Sequence, residues 1–223
     1  MAVDNSIKFS RFISDGNEIA PGDIVFHVEG NIQSILKSER LVLNIMQRMS
    51  GIATSTRHYS DQLRGLKTKI LDTRKTTPGM RFLDKEAVRT GGGANHRMGL
   101  YDMIMLKDNH IDYAGGIENA IKKTREYLKR NNKNLKVEIE ARNLDDVKKI
   151  LEIGDVDRIM LDNFNIKETR EAVRMIAGRY ETESSGGITP EQLRAYAECG
   201  VDYISAGALT HQIKSLDMSL KAF

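Results

Sequence analysis

An α/β fold on a parallel sheet, closed or nearly closed into a TIM-like barrel, is what the sequence predicts, and three observations predict it. Short apolar runs recur along the chain, and each hands over to charge or glycine. Lys69-Ile-Leu71 leads into Asp72-Thr-Arg-Lys75, Met103-Ile-Met-Leu106 into Lys107-Asp-Asn-His110, Lys136-Val-Glu-Ile139 into Glu140, and Arg158-Ile-Met-Leu161 into Asp162-Asn163. Residues 180–184 lead into Ser185-Gly-Gly187, and Asp202-Tyr-Ile204 into Ser205-Ala-Gly207. Helical periods lie between these runs, as in Ile117, Ala120, Ile121, Thr124 and Leu128, in Leu144, Val147, Ile150 and Leu151, and in Ile166, Val173, Ile176 and Ala177. The connections are short, and parallel neighbours need right-handed crossover helices. A doubly wound open sheet is the rival arrangement. The barrel brings all the strand ends to one mouth, where such folds keep their functional groups.

Taken in order, residues 1–30 read as β structure with turns at Asp15-Gly16 and Pro21-Gly22-Asp23, and Ile24 to Val28 alternates, with His27 structural. This stretch is too short for a domain that stands alone. From about Ser38 a helix begins. Leu41, Ile45, Met49 and Ile52 form its expected core face, and Arg40, Asn44 and Arg48 a polar stripe at i, i+4, i+8. Gly51 marks either a break in that helix or a close approach of another backbone. Asp145-Asp146 follow Asn143 at a helix start, where acidic groups complement the positive helix end. Lys122, Lys123, Arg125, Lys129, Arg130, Lys133 and Lys136 lack interleaved aromatics and read as a solvated helix face.

Composition excludes several classes. A chain of 223 residues with 40% hydrophobic and 29% charged residues is ordinary for one large globular domain, or a barrel with a small appendage. A net charge of +3 is too slight to argue for nucleic acid. The lone Cys199 excludes an intrachain disulfide and a cysteine metal cluster, and suits a reducing cytosol. With no apolar run of transmembrane length, and no signal-peptide pattern at Met1-Ala-Val-Asp4, a cytoplasmic protein without membrane or nucleic-acid partners is expected.

The chemistry concentrates between Thr90 and His110. Gly91, Gly92 and Gly93 permit close backbone approach, His96 and Arg97 offer donors, and Lys107 stands at a strand end. Glycine turns at Ser185-Gly186-Gly187 and Ala206-Gly207 follow the last two strands, where barrels commonly bind phosphate through backbone N–H groups. Arg74, Lys75, His96, Arg97 and Lys107 supply more positive charge than one phosphate needs, which implies a second anionic group. Glu140 and Asp162 fit Mg²⁺ beside bound phosphates, or a cationic transition state. No covalent nucleophile stands out, and Cys199 reads as a buried filler on a helix.

Asp72-Thr-Arg-Lys-Thr-Thr-Pro-Gly79, Gly91-Gly-Gly-Ala-Asn-His-Arg97, Lys107-Asp-Asn-His110, Leu161-Asp-Asn163, Ser185-Gly-Gly-Ile-Thr189 and Gly207-Ala-Leu-Thr-His211 resemble the quinolinate phosphoribosyltransferase family. That resemblance implies transfer of phosphoribosyl from phosphoribosyl pyrophosphate to quinolinate with decarboxylation, giving nicotinate mononucleotide, pyrophosphate and CO2 for NAD synthesis, with Mg²⁺ as cofactor. It implies that Arg74, His96, Arg97 and Lys107, with Arg40 from a partner subunit, hold quinolinate. Lys75, Lys107, Glu140, Asp162, Ser185, Gly186, Gly187, Ala206, Gly207 and His211 are implied to hold phosphoribosyl pyrophosphate. Lys107, Glu140 and Asp162 are the implied catalytic residues, and Glu140 and Asp162 the Mg²⁺ site, largely through substrate and water. A homodimer, or a hexamer as a trimer of dimers, follows from the same likeness. The implied organisation is a short, apparently truncated amino-terminal sandwich portion with its linking helix (1–64), a barrel (65–210) and a carboxy-terminal segment returning to the first portion (211–223). Family members carry more residues ahead of the position matching Asp15, so a fragment or a shortened form is expected. A molybdenum-operon paralogue and a non-catalytic phosphate-ligand-binding barrel are the alternatives. The intact Lys107-Asp-Asn-His110 speaks against the first, and the charged strand ends speak against the second.

Overall fold

A computed structural model describes residues 3–222. Met1, Ala2 and Phe223, the outermost residues of the expected first and last segments, lie outside the described residues. Strands β1 (Lys8–Arg11) and β2 (Phe26–Glu29) pair antiparallel, Lys8 opposite Glu29. Phe9 lies 5.0 Å from the Phe26 ring, and His27 meets Phe12 edge-on at 4.7 Å, so His27 packs within this hairpin.

Helix α1 (Ile32–Gln62) starts earlier than Ser38, because the Asn31 side chain caps it by accepting from the Gln33 and Ser34 N–H groups. Gly51 makes no break in it. The carboxy-terminal segment crosses α1 there, so close that a Cβ on Gly51 would run into the Lys214 carbonyl. Leu216 N donates to Gln47 O (3.1 Å), and the Gln47 amide donates to Met218 O (2.8 Å). The expected core face of α1 needs correction. Leu41 is 67% exposed, and burial along the helix starts only at Leu43 and continues through Ile52, Thr56 and Tyr59. The first turns of α1 run past the elements it packs on. Arg48, seven residues on and therefore on the same side as Leu41, turns inward and pairs with Asp84 (2.9 Å).

From there strand and helix alternate: β3 (Lys69–Leu71), α2 (Arg81–Thr90), β4 (Ile104–Leu106), α3 (Asp108–Ala114), α4 (Ile117–Arg130), β5 (Val137–Ala141), α5 (Leu144–Ile153) and β6 (Arg158–Asp162). Then follow α6 (Ile166–Ile176), β7 (Glu181–Ser185), α7 (Pro190–Ala197), β8 (Tyr203–Ser205) and the short α8 (Ala208–His211). The expected strands are all present, most of them shifted by a residue or so. α5 starts after Asn143 with Asp145 and Asp146 in its first turn, as expected, and Asn143 caps it by accepting from Asp146 N. Every pairing in the six-stranded sheet is parallel, in the order β3-β8-β7-β6-β5-β4. That is the order of a ring opened at one seam, with no reversal of the kind a doubly wound sheet requires. At the seam Ala94 bridges to β3, donating to Ile70 O (2.9 Å) and accepting from Asp72 N (3.2 Å). The barrel is thus incomplete rather than closed.

Side-chain alternation along each strand divides the sheet into two faces. Val137, Ile139, Ile159, Leu161 and Ile204 join the helices in one apolar core. Glu138, Glu140, Arg158, Asp162 and Glu183 lie on the opposite face, inside the ring. Among the described residues no helix is long and apolar enough to cross a membrane.

Candidate active site

Three strand ends assemble a charged group. Lys107 closes β4 and caps α3, and its amine pairs with the Glu140 carboxylate at the end of β5. Glu140 is buried and also accepts from Asp108 N (3.2 Å), so both of its oxygens are engaged. Asp162 ends β6 and accepts from the Asn163 amide (2.9 Å). Burial, and then the Glu140 charge beside it, hold the Asp162 carboxyl above the usual range. Two neighbouring carboxylates, with the Glu140 charge opposing ionisation of Asp162 and both groups hard oxygen donors, fit a divalent cation such as Mg²⁺.

A cationic arm faces this group from the seam side of the ring. Arg74 and Lys75 follow β3, and His96 and Arg97 follow the Ala94 bridge. Arg97 is buried and donates to the Met103 carbonyl (3.2 Å). Burial, then the nearby Arg74 guanidinium, lower its pKa, which brings Arg74 and Arg97 into one cluster. The His96 imidazole points elsewhere. Its Nδ1 accepts from Arg97 N (2.6 Å), while Nε2 lies 2.9 Å from Glu138 and 3.5 Å from Glu183, within ion-pair range but without hydrogen-bond alignment. Burial lowers the His96 pKa and pushes Glu138 up to about 7 and Glu183 up to about 8. His96, Glu138 and Glu183 offer three ligand atoms within 4.8 Å of one another. The Arg158 guanidinium, 3.0 Å from Glu183, already fills the place of a cation there.

The glycine turns complete the mouth. Gly186 has φ +107°, and a Cβ there would strike the Asn163 side chain, so the turn after β7 lies tight against the end of β6. Asn163 N donates to Ser185 O (2.9 Å), while the space beside Gly187 is open. Ala206 N donates to Leu71 O (3.0 Å). A side chain on Gly207 would meet the His211 ring and the Lys75 stem, which brings Lys75, Gly207 and His211 together. Arg40 sits on the exposed first part of α1, with no hydrogen bond or ion pair to its own chain among the described residues.

Several polar residues escaped the sequence. Arg48 joins Asp84 to the Thr210 carbonyl (3.0 Å), and Lys85 is buried against Asp72. Arg81 donates to three oxygens of two loops. Mid-strand charges lack the handover from apolar run to charge that marks a strand end, although the spacing of Glu138 from Glu140 places both on one face.

Comparison with known proteins gives the family of the chain. The domain family described as quinolinate phosphoribosyl transferase, C-terminal domain, matches residues 52–221, and its N-terminal counterpart matches residues 1–50. A Nicotiana glauca protein named quinolinate phosphoribosyltransferase (decarboxylating) 2, mitochondrial, is 46% identical over 98% of this chain. The chain spans 66% of that relative's length, just under two thirds. A Bacillus subtilis protein named probable nicotinate-nucleotide pyrophosphorylase (carboxylating) is 44% identical, covering 98% of this chain and 74% of its own. The crystal structure of NadC from Streptococcus pyogenes superposes with a TM-score of 0.92 at 40% identity, covering 99% of this chain and 76% of that one.

Proposed function

Because this chain belongs to the quinolinate phosphoribosyltransferase family, we propose that it transfers phosphoribosyl from phosphoribosyl pyrophosphate to quinolinate, releasing pyrophosphate and CO2 and forming nicotinate mononucleotide for NAD synthesis. The observation that carries the proposal is the meeting, at one end of the sheet, of the Arg74 and Arg97 guanidiniums with the Lys107, Glu140 and Asp162 set.

Quinolinate has two adjacent carboxylates, and two neighbouring guanidiniums are matched to them. Arg74 and Arg97 take this role, with Lys107 beside them and Arg40 of the partner subunit reaching in. His96 belongs to the same clamp, although its ring would have to exchange Glu138 for a substrate carboxylate. Ser185, Gly186, Gly187, Ala206 and Gly207 present backbone to the 5′-phosphate, with His211 and Lys75 alongside. The pyridine nitrogen attacks C1′ of the ribose, and the C1′–O bond breaks with its electron pair leaving on pyrophosphate. Glu140 and Asp162 face the positive charge that develops on the ribose, and Lys107 and Lys75 neutralise the leaving group, so positioning and electrostatics carry the rate. The C–CO2 bond next to the quaternised ring nitrogen then breaks, CO2 departs, and the electron pair left on the ring carbon, stabilised by the adjacent positive nitrogen, takes up a proton. Mg²⁺ held near Glu140 and Asp162 would add charge neutralisation on pyrophosphate.

Self-association belongs to the same proposal, as a homodimer or a hexamer of three dimers. Its support is Arg40, without a partner among the described residues of its own chain, on a helix surface that also exposes Ile32, Leu36 and Leu41. A cytoplasmic location suits the buried, unpaired Cys199. The deciding assay is formation of nicotinate mononucleotide and CO2 from quinolinate and phosphoribosyl pyrophosphate with Mg²⁺. Binding of both substrates without product would replace catalysis by a binding role.

A further inference from the structure

Arg81 opens α2, half-buried, and its guanidinium reaches two separate loops. Nε donates to the Thr76 hydroxyl (3.1 Å) and Nη2 to the Arg74 carbonyl (3.3 Å), both on the loop that carries Arg74 and Lys75. Nη1 donates to the Met98 carbonyl (3.1 Å), on the segment that carries His96 and Arg97. Deeper in the ring, buried Lys85 ties the roots of the same two loops, pairing with Asp72 and donating to the His96 carbonyl (3.0 Å). Arg81 ties their outer, half-buried parts. Among the described residues no carboxylate lies within ion-pair distance of Arg81.

That absence matters because the loops themselves carry like charge. Arg74 and Lys75 stand on one and Arg97 on the other, close enough that Arg74 perturbs Arg97. A clamp made of like charges pushes itself open when no anion is bound, and each increment of opening removes preorganisation. We propose that Arg81 is a positioning residue for the anion clamp. By bonding only to uncharged oxygens it holds the Arg74 loop against the Arg97 segment, so that the two guanidiniums are neighbours before the dicarboxylate arrives. Its unneutralised charge adds to the field that draws in a dianion. Three donors in a planar fork are needed for this, and lysine, with one nitrogen, reaches the acceptors singly.

The inference rests on the proposed activity. Its test compares the full chain with Arg81→Gln and Arg81→Lys for steady-state kinetics, and for calorimetric titration with quinolinate, at low and high NaCl. Arg81→Gln is expected to raise the KM and Kd for quinolinate roughly tenfold or more, with the KM for phosphoribosyl pyrophosphate and kcat at saturating quinolinate within about twofold of wild type. The ratio of variant to wild-type KM should shrink as salt screens the repulsion between the loops. Arg81→Lys should fall between the two. An unchanged quinolinate KM overturns the proposal, as does a salt-independent loss spread over kcat and both KM values, which would mark a merely structural bond. A wild-type chain that neither binds nor converts quinolinate removes the activity and the clasp together, whereas an active wild type with an unaffected variant removes the clasp alone.

Discussion

Lys107 and Arg97 are both cations of the mouth, yet they stand in different surroundings. The Lys107 side chain is 41% exposed, whereas Arg97 is buried and bonded to a backbone carbonyl. Lys107→Ala is therefore expected to lower turnover by ~10²–10³ while changing stability by about 0–1 kcal/mol. Arg97→Ala should lose comparable activity and also about 1–3 kcal/mol of stability, because it leaves the buried Met103 carbonyl short of a donor. Turnover assays beside urea denaturation check the contrast, and near-normal turnover in both variants would remove them from the site. Glu183 yields a pH prediction. Its folded pKa, about 8, lies above the usual carboxylate value, so the folded state holds the proton more tightly than the unfolded chain does. The stability from this group is complete at acidic pH and is lost as pH rises through about 8. Glu183→Gln should flatten that decline in Tm, which runs from the usual carboxylate range up to about pH 8, measured from pH 5 to 9. An unchanged slope would assign the decline to other groups. At this scale the legible residues were those that end a strand run, such as Lys107, Glu140 and Asp162. Glu138, Glu183 and Arg81 were not, because their roles depend on which face of a strand, or which two loops, the fold brings together.

Among the elements, α1 shows where periodicity stops being informative. Its apolar spacing marks a helix correctly, but Leu41 and Leu43 differ in burial only because of what the helix packs against, and that is a tertiary fact. Gly51 has the same origin. The sequence left a break and a close approach open, and the tail crossing at Lys214 settles it. In an open helix Gly→Ala would stabilise by roughly 1 kcal/mol. Here the added methyl collides with backbone, and overpacking of that kind costs about 1–3 kcal/mol. Gly51→Ala is therefore expected to destabilise, and a rise in the urea midpoint would show that the tail yields without cost. The strand-and-helix rhythm was the most legible feature of all, because parallel strands with short loops leave few topologies. The open seam at Ala94 was not, since a single bridged residue has no periodicity to read.

At the level of the whole molecule, Arg40 defines the sharpest test of assembly. It is exposed on the free turns of α1, and its proposed target lies in a second copy of the chain. In an isologous dimer each copy lends one arginine and receives one. Mixing inactive Arg40→Ala chains with inactive Lys107→Ala chains should restore one good site per mixed dimer, or about a quarter of wild-type activity at random exchange. Exchange verified by mass, without recovery, would place Arg40 outside the site. The ring order has a consequence of another kind. β3 pairs with β8, Lys69 opposite Tyr203, so the first strand of the ring finds its partner in the last. During synthesis β3 leaves the ribosome early, and although Ala94 soon bridges one side of it, its β8 side must wait unpaired while every other strand emerges. Folding of the sheet is then largely post-translational, slowed by this distant closure, and the waiting edge is where a nascent chain is most open to aggregation or to chaperone capture.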